Sequence, residues 1–152
     1  MKKNGKLWLE KIAEEPVSSA LWQVSSEWQR GVKRALDSID ITPSQSMILS
    51  SLLFLSKQQA SVTQIDLSLH SKIDPMTTST IIRTLERKEL IKRKEHGTDT
   101  RAKIVVLTSY GSKTTKQALK IIEKFDSIFF EALGNRSKTF QSSLAILLKT
   151  RA

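Results

Sequence analysis

The chain has 152 residues, with 25 Lys and Arg against 15 Asp and Glu and a formal net charge of +10. That surplus points to an anionic partner, nucleic acid or an acidic membrane surface. The lack of cysteine excludes disulfides, thiolate metal sites, cysteine nucleophiles and thiol redox sensing.

In chain order, the opening segment MKKNGKLWLEKIAEEP has basic residues but no long apolar core, and Glu10, Glu14 and Glu15 interrupt it. It does not read as a secretory signal. No apolar run reaches the ~20 residues of a membrane helix, so a soluble, cytoplasmic protein with no membrane partner is expected. Pro16 closes this segment. From Val17 to Leu36, the residues Leu21, Val24, Trp28, Val32 and Leu36 recur at helical spacing, with Trp22 one step off the stripe. ITPSQ at 41–45 is a helix start: Thr42 as N-cap, Pro43 at the first position and Gln45 closing a capping box. The following SMILSSLLFLS is apolar on most faces, which predicts a nearly buried helix. Thr63, with Asp66 three residues on, predicts another. Ser71-Lys72-Ile73 reads as a turn. Asp74-Pro75 restarts a helix through MTTSTIIRTLERKEL, with Ile81, Ile82 and Leu85 facing inward. Two helices joined so closely, the second with a polar start, have the layout of a helix-turn-helix.

After Leu90 the pattern changes. IKRKEH and AKIVVL read as two strands around GTDTR, and Gly97 is expected to supply the permissive backbone of the turn. A two-stranded hairpin does not stand alone, so the apolar IVVL half should dock while the charged half projects. Thr108 then caps a long helix with a stripe of Ala118, Ile122, Phe125, Phe129 and Leu133, widened by Ile121 and Ile128 and stopped by Gly134-Asn135. A last helix carries Phe140, Leu144, Leu147 and Leu148. The expected fold class is mainly α with a small β-hairpin wing. It divides into an N-terminal helical region over 1–40, a winged helix-turn-helix over 41–108 and C-terminal helices over 109–152.

Between Arg83 and Lys103 stand eight cations (Arg83, Arg87, Lys88, Lys92, Arg93, Lys94, Arg101 and Lys103) against Glu86, Glu89, Glu95 and Asp99. A groove-reading helix needs short hydrogen-bonding side chains at its start and long cations for phosphates. Thr77, Thr78, Ser79 and Thr80 suit the first role, Arg83 and Arg87 the second. Alone, MTTSTI would be an ordinary capped helix with hydroxyls on a wet face. The preceding helix and the basic hairpin that follows tip the reading toward DNA.

The segments ITPSQSMIL, VTQIDLS, TTSTIIRTLERKELIKR and DTRAKIVVLTSYG resemble the MarR family of bacterial transcription regulators, in the same order over roughly residues 20 to 133. The most specific part is Asp99-x-Arg101-x-Lys103 followed by a strand and LTSYG. The resemblance implies a winged helix-turn-helix homodimer on a pseudo-palindromic operator of double-stranded DNA, with N- and C-terminal dimerisation helices and, in many members, release by a small ligand. It implies that the helix from Asp74 to Glu89 reads the major groove, through Pro75, Met76, Thr77, Thr78, Ser79, Arg83 and Arg87. It implies a wing of Lys94, His96, Asp99, Arg101 and Lys103, tipped by the Gly97–Arg101 loop. Arg101 would enter the minor groove, whose narrow stretches concentrate negative potential, and Asp99 would orient it. Asp99 read alone is equally a turn residue capping its own backbone.

The outer helices are expected to supply the subunit contact, through Leu21, Phe125, Phe129, Phe140, Leu144 and Leu147. The alternative is that Phe125 and Phe129 pack only within one chain. Trp8, Trp22, Trp28 and Tyr110 are candidates for lining an effector cleft, although Trp residues more often belong to a core or interface. An enzyme is not expected, nor a metal or cofactor. His70 and His96 sit at a helix end and in the wing, and no Gly-rich phosphate loop or metal-ligand spacing occurs. The competing readings are a nonspecific architectural DNA-binder using the same cations, and a winged helix whose basic face meets an acidic protein.

Overall fold

A computed structural model describes residue 14, residues 16–98 and residues 102–149. Helix α1 is Val17–Leu36, followed by a 3-10 turn at Asp37–Ile39. Helices α2 (Pro43–Leu55), α3 (Gln64–Ser71) and α4 (Pro75–Arg87) lead to the antiparallel strands β1 (Ile91–Glu95) and β2 (Lys103–Leu107). Helix α5 (Ser109–Phe129), a 3-10 segment (Glu131–Arg136) and α6 (Ser137–Lys149) complete the order.

Each expected helix start has a local cause that is visible in the side chains. Thr42 accepts from the Gln45 amide while the Gln45 side chain accepts from the Thr42 amide, and Pro43 stands at the first position of α2. Thr63 and Asp66 make the same reciprocal pair at α3. Thr108 accepts from the Gly111 amide at 2.8 Å and caps α5. The core forms where α1, α2, α3, α4 and the hairpin meet, around Val32, Leu36, Ile48, Leu49, Leu52, Leu67, Ile82, Leu85, Ile91 and Val105. Helix α2 buries Ile48, Leu49 and Leu52 but leaves Met47 and Phe54 exposed, so it is less enclosed than its composition predicts.

The hairpin pairs Ile91 with Leu107 and Glu95 with Lys103. Val105, at its centre, is buried, and its amide donates to the Val62 carbonyl at 2.8 Å. Thr63 also bridges Ile104. The short run before α3 therefore meets β2 in an isolated β-bridge and ties the wing to the helix-turn-helix. At its base, the Leu90 carbonyl accepts from the Thr108 amide at 3.1 Å and lies against Gly111 of α5, so closely that no side chain fits between them.

Three details differ from expectation. Gly97 has no left-handed backbone; among the described residues positive φ falls instead on Asp40, Lys72, Glu89 and Gly134. Helix α4 ends at Arg87, with the turn made by Glu89 at φ 59. Helix α5 ends at Phe129, so Leu133 lies in the 3-10 segment and Gly134 bends that segment at φ 52 and ψ −128. Helix α6 leaves every residue but Phe140 exposed, including Leu144, Ile146, Leu147 and Leu148.

Candidate nucleic-acid interface

The turn between α3 and α4 is pinned from both sides. Ser68 of α3 and Thr78 of α4 both donate to the Ile73 carbonyl, at 2.7 and 3.2 Å. The Ile73 amide donates to Ser71 at 3.3 Å, and Lys72 takes the left-handed conformation at φ 61. Asp74 then caps α4, accepting from the Thr77 amide at 2.9 Å. Its carboxyl is held below the usual carboxylate value, first by the Thr77 side chain and then by the Thr77 amide. The two helices are therefore fixed relative to each other by hydrogen bonds as well as by Leu67, Ile81, Ile82 and Leu85.

Helix α4 has three distinct sides. Thr78, Ile81, Ile82 and Leu85 face the core. Thr78 is 0% exposed and spends its hydroxyl on Ile73, which corrects its assignment as a groove-facing residue. Consecutive hydroxyls rotate round a helix, and the fourth position of this helix points inward. The opposite side carries Met76, Thr80, Arg83 and Arg87, all exposed, at spacings of four, three and four. Pro75 and Thr77 are exposed beside them and Ser79 is half-buried. Arg83 donates to Ser79 at 3.0 Å and Arg87 to Thr84 at 3.1 Å. Neither guanidinium takes part in an ion pair among the described residues.

The third side joins the wing. Glu86 receives the Arg93 Nε at 2.8 Å and the Arg93 backbone amide at 3.3 Å, so one carboxylate holds β1 by two donors. The Arg93 side chain is the main cause that depresses the Glu86 carboxyl. Thr80, Arg83, Glu86, Arg87 and Arg93 together line a concavity of about 450 Å³ between helix and hairpin. On β1, Lys92 and Lys94 are exposed on the face away from the buried Ile91. Lys103 pairs with Glu95 at 3.3 Å, and the half-buried His96 bonds through its backbone amide to Ala102 at 3.3 Å. Asp99 and Arg101 lie outside the described residues, as does Trp8.

The subunit-contact candidates divide. Leu21, Leu144 and Leu147 are exposed, whereas Phe129 and Phe140 are half-buried in an aromatic run that also includes Phe125 and Phe130. Phe125 lies on Gly31 of its own chain, where a Cβ would come 2.2 Å from its ring. The three described effector candidates do not line one cleft. Trp22 is 76% exposed and lines a cleft of about 510 Å³ with Val24, Arg30 and Phe129. Trp28 is committed to α5, donating to Asp126 at 2.7 Å. Tyr110 stands at the start of α5, beside other concavities. The features that residue order did not disclose are the Glu86–Arg93 tie and the bridge of Val62–Thr63 to β2. No helix among the described residues is long and apolar enough to cross a membrane.

Residues 41–103, which run from the cap of α2 to the start of β2, match the model of the MarR family. Over 129 residues the chain is 37% identical to the uncharacterized HTH-type transcriptional regulator YdcH of Bacillus subtilis strain 168, covering 85% of this chain and 87% of that one. Its fold is similar to that of MepR of S. aureus, solved as a complex with DNA: TM-score 0.79 at 28% identity, over 90% of this chain and 99% of that one. A mutant MarR from E. coli complexed with operator DNA shares the fold, with TM-score 0.75 at 21% identity over 89% and 92% of the two chains. Sequence, winged architecture and relatives agree, and the chain belongs to the MarR family of transcription regulators.

Proposed function

We propose that this chain is a cytoplasmic, sequence-specific binder of double-stranded DNA that acts as a homodimer on a pseudo-palindromic operator and has no catalytic activity. The observation that carries the reading is the outward side of α4. It presents Met76, Thr80, Arg83 and Arg87 to solvent, and Glu86 ties the cationic strand β1 to its flank. Helix and wing thus form one basic surface in which the arginines of α4 are not neutralised by carboxylates among the described residues. Phosphates would meet Arg83, Arg87, Lys92 and Lys94, while the first turns of α4 would meet base edges. By the family pattern, His96, Asp99, Arg101 and Lys103 belong to the wing contact and Arg101 enters the minor groove. Pro75, Thr77 and Ser79 complete the helix contact.

The homodimer is supported by surface that one chain leaves uncovered. Val17, Leu21, Trp22 and Val24 on α1, and Leu144, Ile146, Leu147 and Leu148 on α6, are exposed apolar side chains at opposite ends of the sequence. On α6, Leu144, Leu147 and Leu148 share one helix face, and exposed apolar patches mark interaction surfaces. Two copies would also place two recognition helices on successive turns, ~34 Å apart, and double the sequence read. The effector reading rests on Trp22 and its 510 Å³ cleft, a volume that suits a small organic molecule.

The test is a titration of the full chain with its best duplex from a random library and with a scrambled duplex at matched salt. Specific binding gives a much tighter complex with the selected duplex and a strong salt dependence for both. Equal affinities would leave the architectural reading in its place. Arg101→Ala should weaken the specific complex at least tenfold while sedimentation still reports a dimer.

A further inference from the structure

The exposed side of α4 is chemically graded, and its first half is not built for hydrogen bonding. Met76 is 81% exposed, in the first turn of a helix whose core side is occupied by Thr78, Ile81 and Ile82. A large apolar side chain this bare, on the face of the most polar helix of the lobe, contributes nothing to the core. One turn further, Thr80 donates its hydroxyl to the Met76 carbonyl at 3.3 Å. A Thr whose hydroxyl is turned back onto the helix offers its methyl group outward. The second half of the stripe is cationic, with Arg83 and Arg87 joined by Arg93 around the 450 Å³ concavity.

We infer that Met76 and the Thr80 methyl form an apolar reader for the 5-methyl group of thymine in the major groove, while Arg83 and Arg87 hold the neighbouring phosphates. This rests on the proposed docking of α4 in duplex DNA and deepens it by naming the base feature that is read. The thymine methyl is the one apolar group that a base edge displays in that groove, and small apolar side chains recognise it by contact. The cations on the same stripe supply the complementarity to a polyanion that an apolar protein partner would lack. Hydroxyl-to-base hydrogen bonds are thereby a smaller part of the readout than a run of Thr and Ser suggests. Ser79 accepts from Arg83, Thr78 is buried, and Thr80 is turned inward.

The experiment begins with selection of a preferred duplex by the full chain from a random library. Each thymine of the half-site is then replaced in turn by deoxyuridine, which removes only the methyl. At one or two positions the swap should weaken wild-type binding about fourfold per half-site, the ratio that corresponds to losing one buried methyl-sized group. Met76→Ala should abolish that sensitivity at its position. Thr80→Val, which keeps a methyl and loses the hydroxyl, should preserve discrimination, and Thr80→Ser should lose it. Both side chains are exposed, so circular dichroism should show unchanged folding in all three variants. A selected duplex whose affinity ignores every swap sinks the inference and leaves operator binding standing. So does Met76→Ala with the full thymine preference together with Thr80→Ser behaving as wild type. A library that enriches no sequence overturns the operator reading and the methyl reader together.

Discussion

Gly111→Ala is a small change placed where the structure has no room for it. A Cβ at this position would lie 1.8 Å from the Leu90 carbonyl oxygen and 2.7 Å from its carbon. Both atoms are backbone, so no rotamer change relieves the clash. The same oxygen accepts from the Thr108 amide at 3.1 Å and from the Thr108 hydroxyl at 3.2 Å. That hydroxyl oxygen also caps α5 by accepting from the Gly111 amide. Overpacking costs about 1–3 kcal/mol, and more where backbone must move. A compromised cap adds ~1 kcal/mol, and alanine's better helix propensity returns up to ~1 kcal/mol. The net loss is then about 1–4 kcal/mol. Urea unfolding followed by circular dichroism, at one fixed protein concentration, should show the midpoint falling by roughly 0.5–2 M. Gly97→Ala is the control, since a Cβ there meets nothing within 4 Å and its backbone is not left-handed. A Gly111→Ala midpoint equal to or above the parent's would refute the claim that α5 touches the wing base through bare backbone.

Two further outcomes can be checked with the same assay. The Glu86 carboxyl is held below its ordinary value of 4.5, chiefly by the Arg93 side chain, so its folded pKa is lower than its unfolded one. The ion pair's contribution is then fully present above that ordinary value and disappears as pH falls through the lower folded value. Glu86→Gln should be less stable than the parent at pH 7, with the gap closing below about pH 4.5; a gap independent of pH would count against the tie. Glu89 holds a left-handed backbone at φ 59, a conformation that costs most residues ~1–2 kcal/mol and glycine little. Glu89→Gly should raise stability by about 0.5–1 kcal/mol after glycine's extra chain entropy is counted, and a lower midpoint would show that the turn depends on the Glu side chain.

The helix starts were readable because their causes are local. Thr42-Pro43-x-Gln45, Thr63-x-x-Asp66 and Asp74-Pro75 each satisfy backbone amides within one turn, and all three caps occur as the residues imply. The hairpin was readable from the change of period after Leu90. What stayed hidden depends on packing across the chain. Val62 and Thr63 are too short a run to show alternation, and they form a β-bridge only because β2 lies beside them. Among the described residues, three of the four left-handed positions carry Asp, Lys and Glu, so residue type did not mark them, while Gly97 invited a conformation it does not use. Phe125 belongs to an apolar stripe whichever partner it meets, and only the missing Cβ of Gly31 reveals that its ring is accommodated within its own chain.

The candidate site shows the same division more sharply. Residue types alone make Thr77, Thr78, Ser79 and Thr80 equivalent, four short donors at the start of a basic helix. The fold makes them unequal, because successive residues on an α-helix are rotated by about 100° and the core claims the position in line with Ile81, Ile82 and Leu85. Thr78 must therefore find a buried partner, and the Ile73 carbonyl at the end of the turn supplies it. That bond fixes the pitch of α4 against α3 and aligns the opposite side, so the burial of one hydroxyl decides which side chains of α4 face solvent. Glu86, on the flank, then sets where the wing stands relative to that stripe. Both determinants are polar residues outside the exposed stripe. A substitution at either would rotate or release a neighbouring element, while every side chain of the exposed stripe keeps its chemistry.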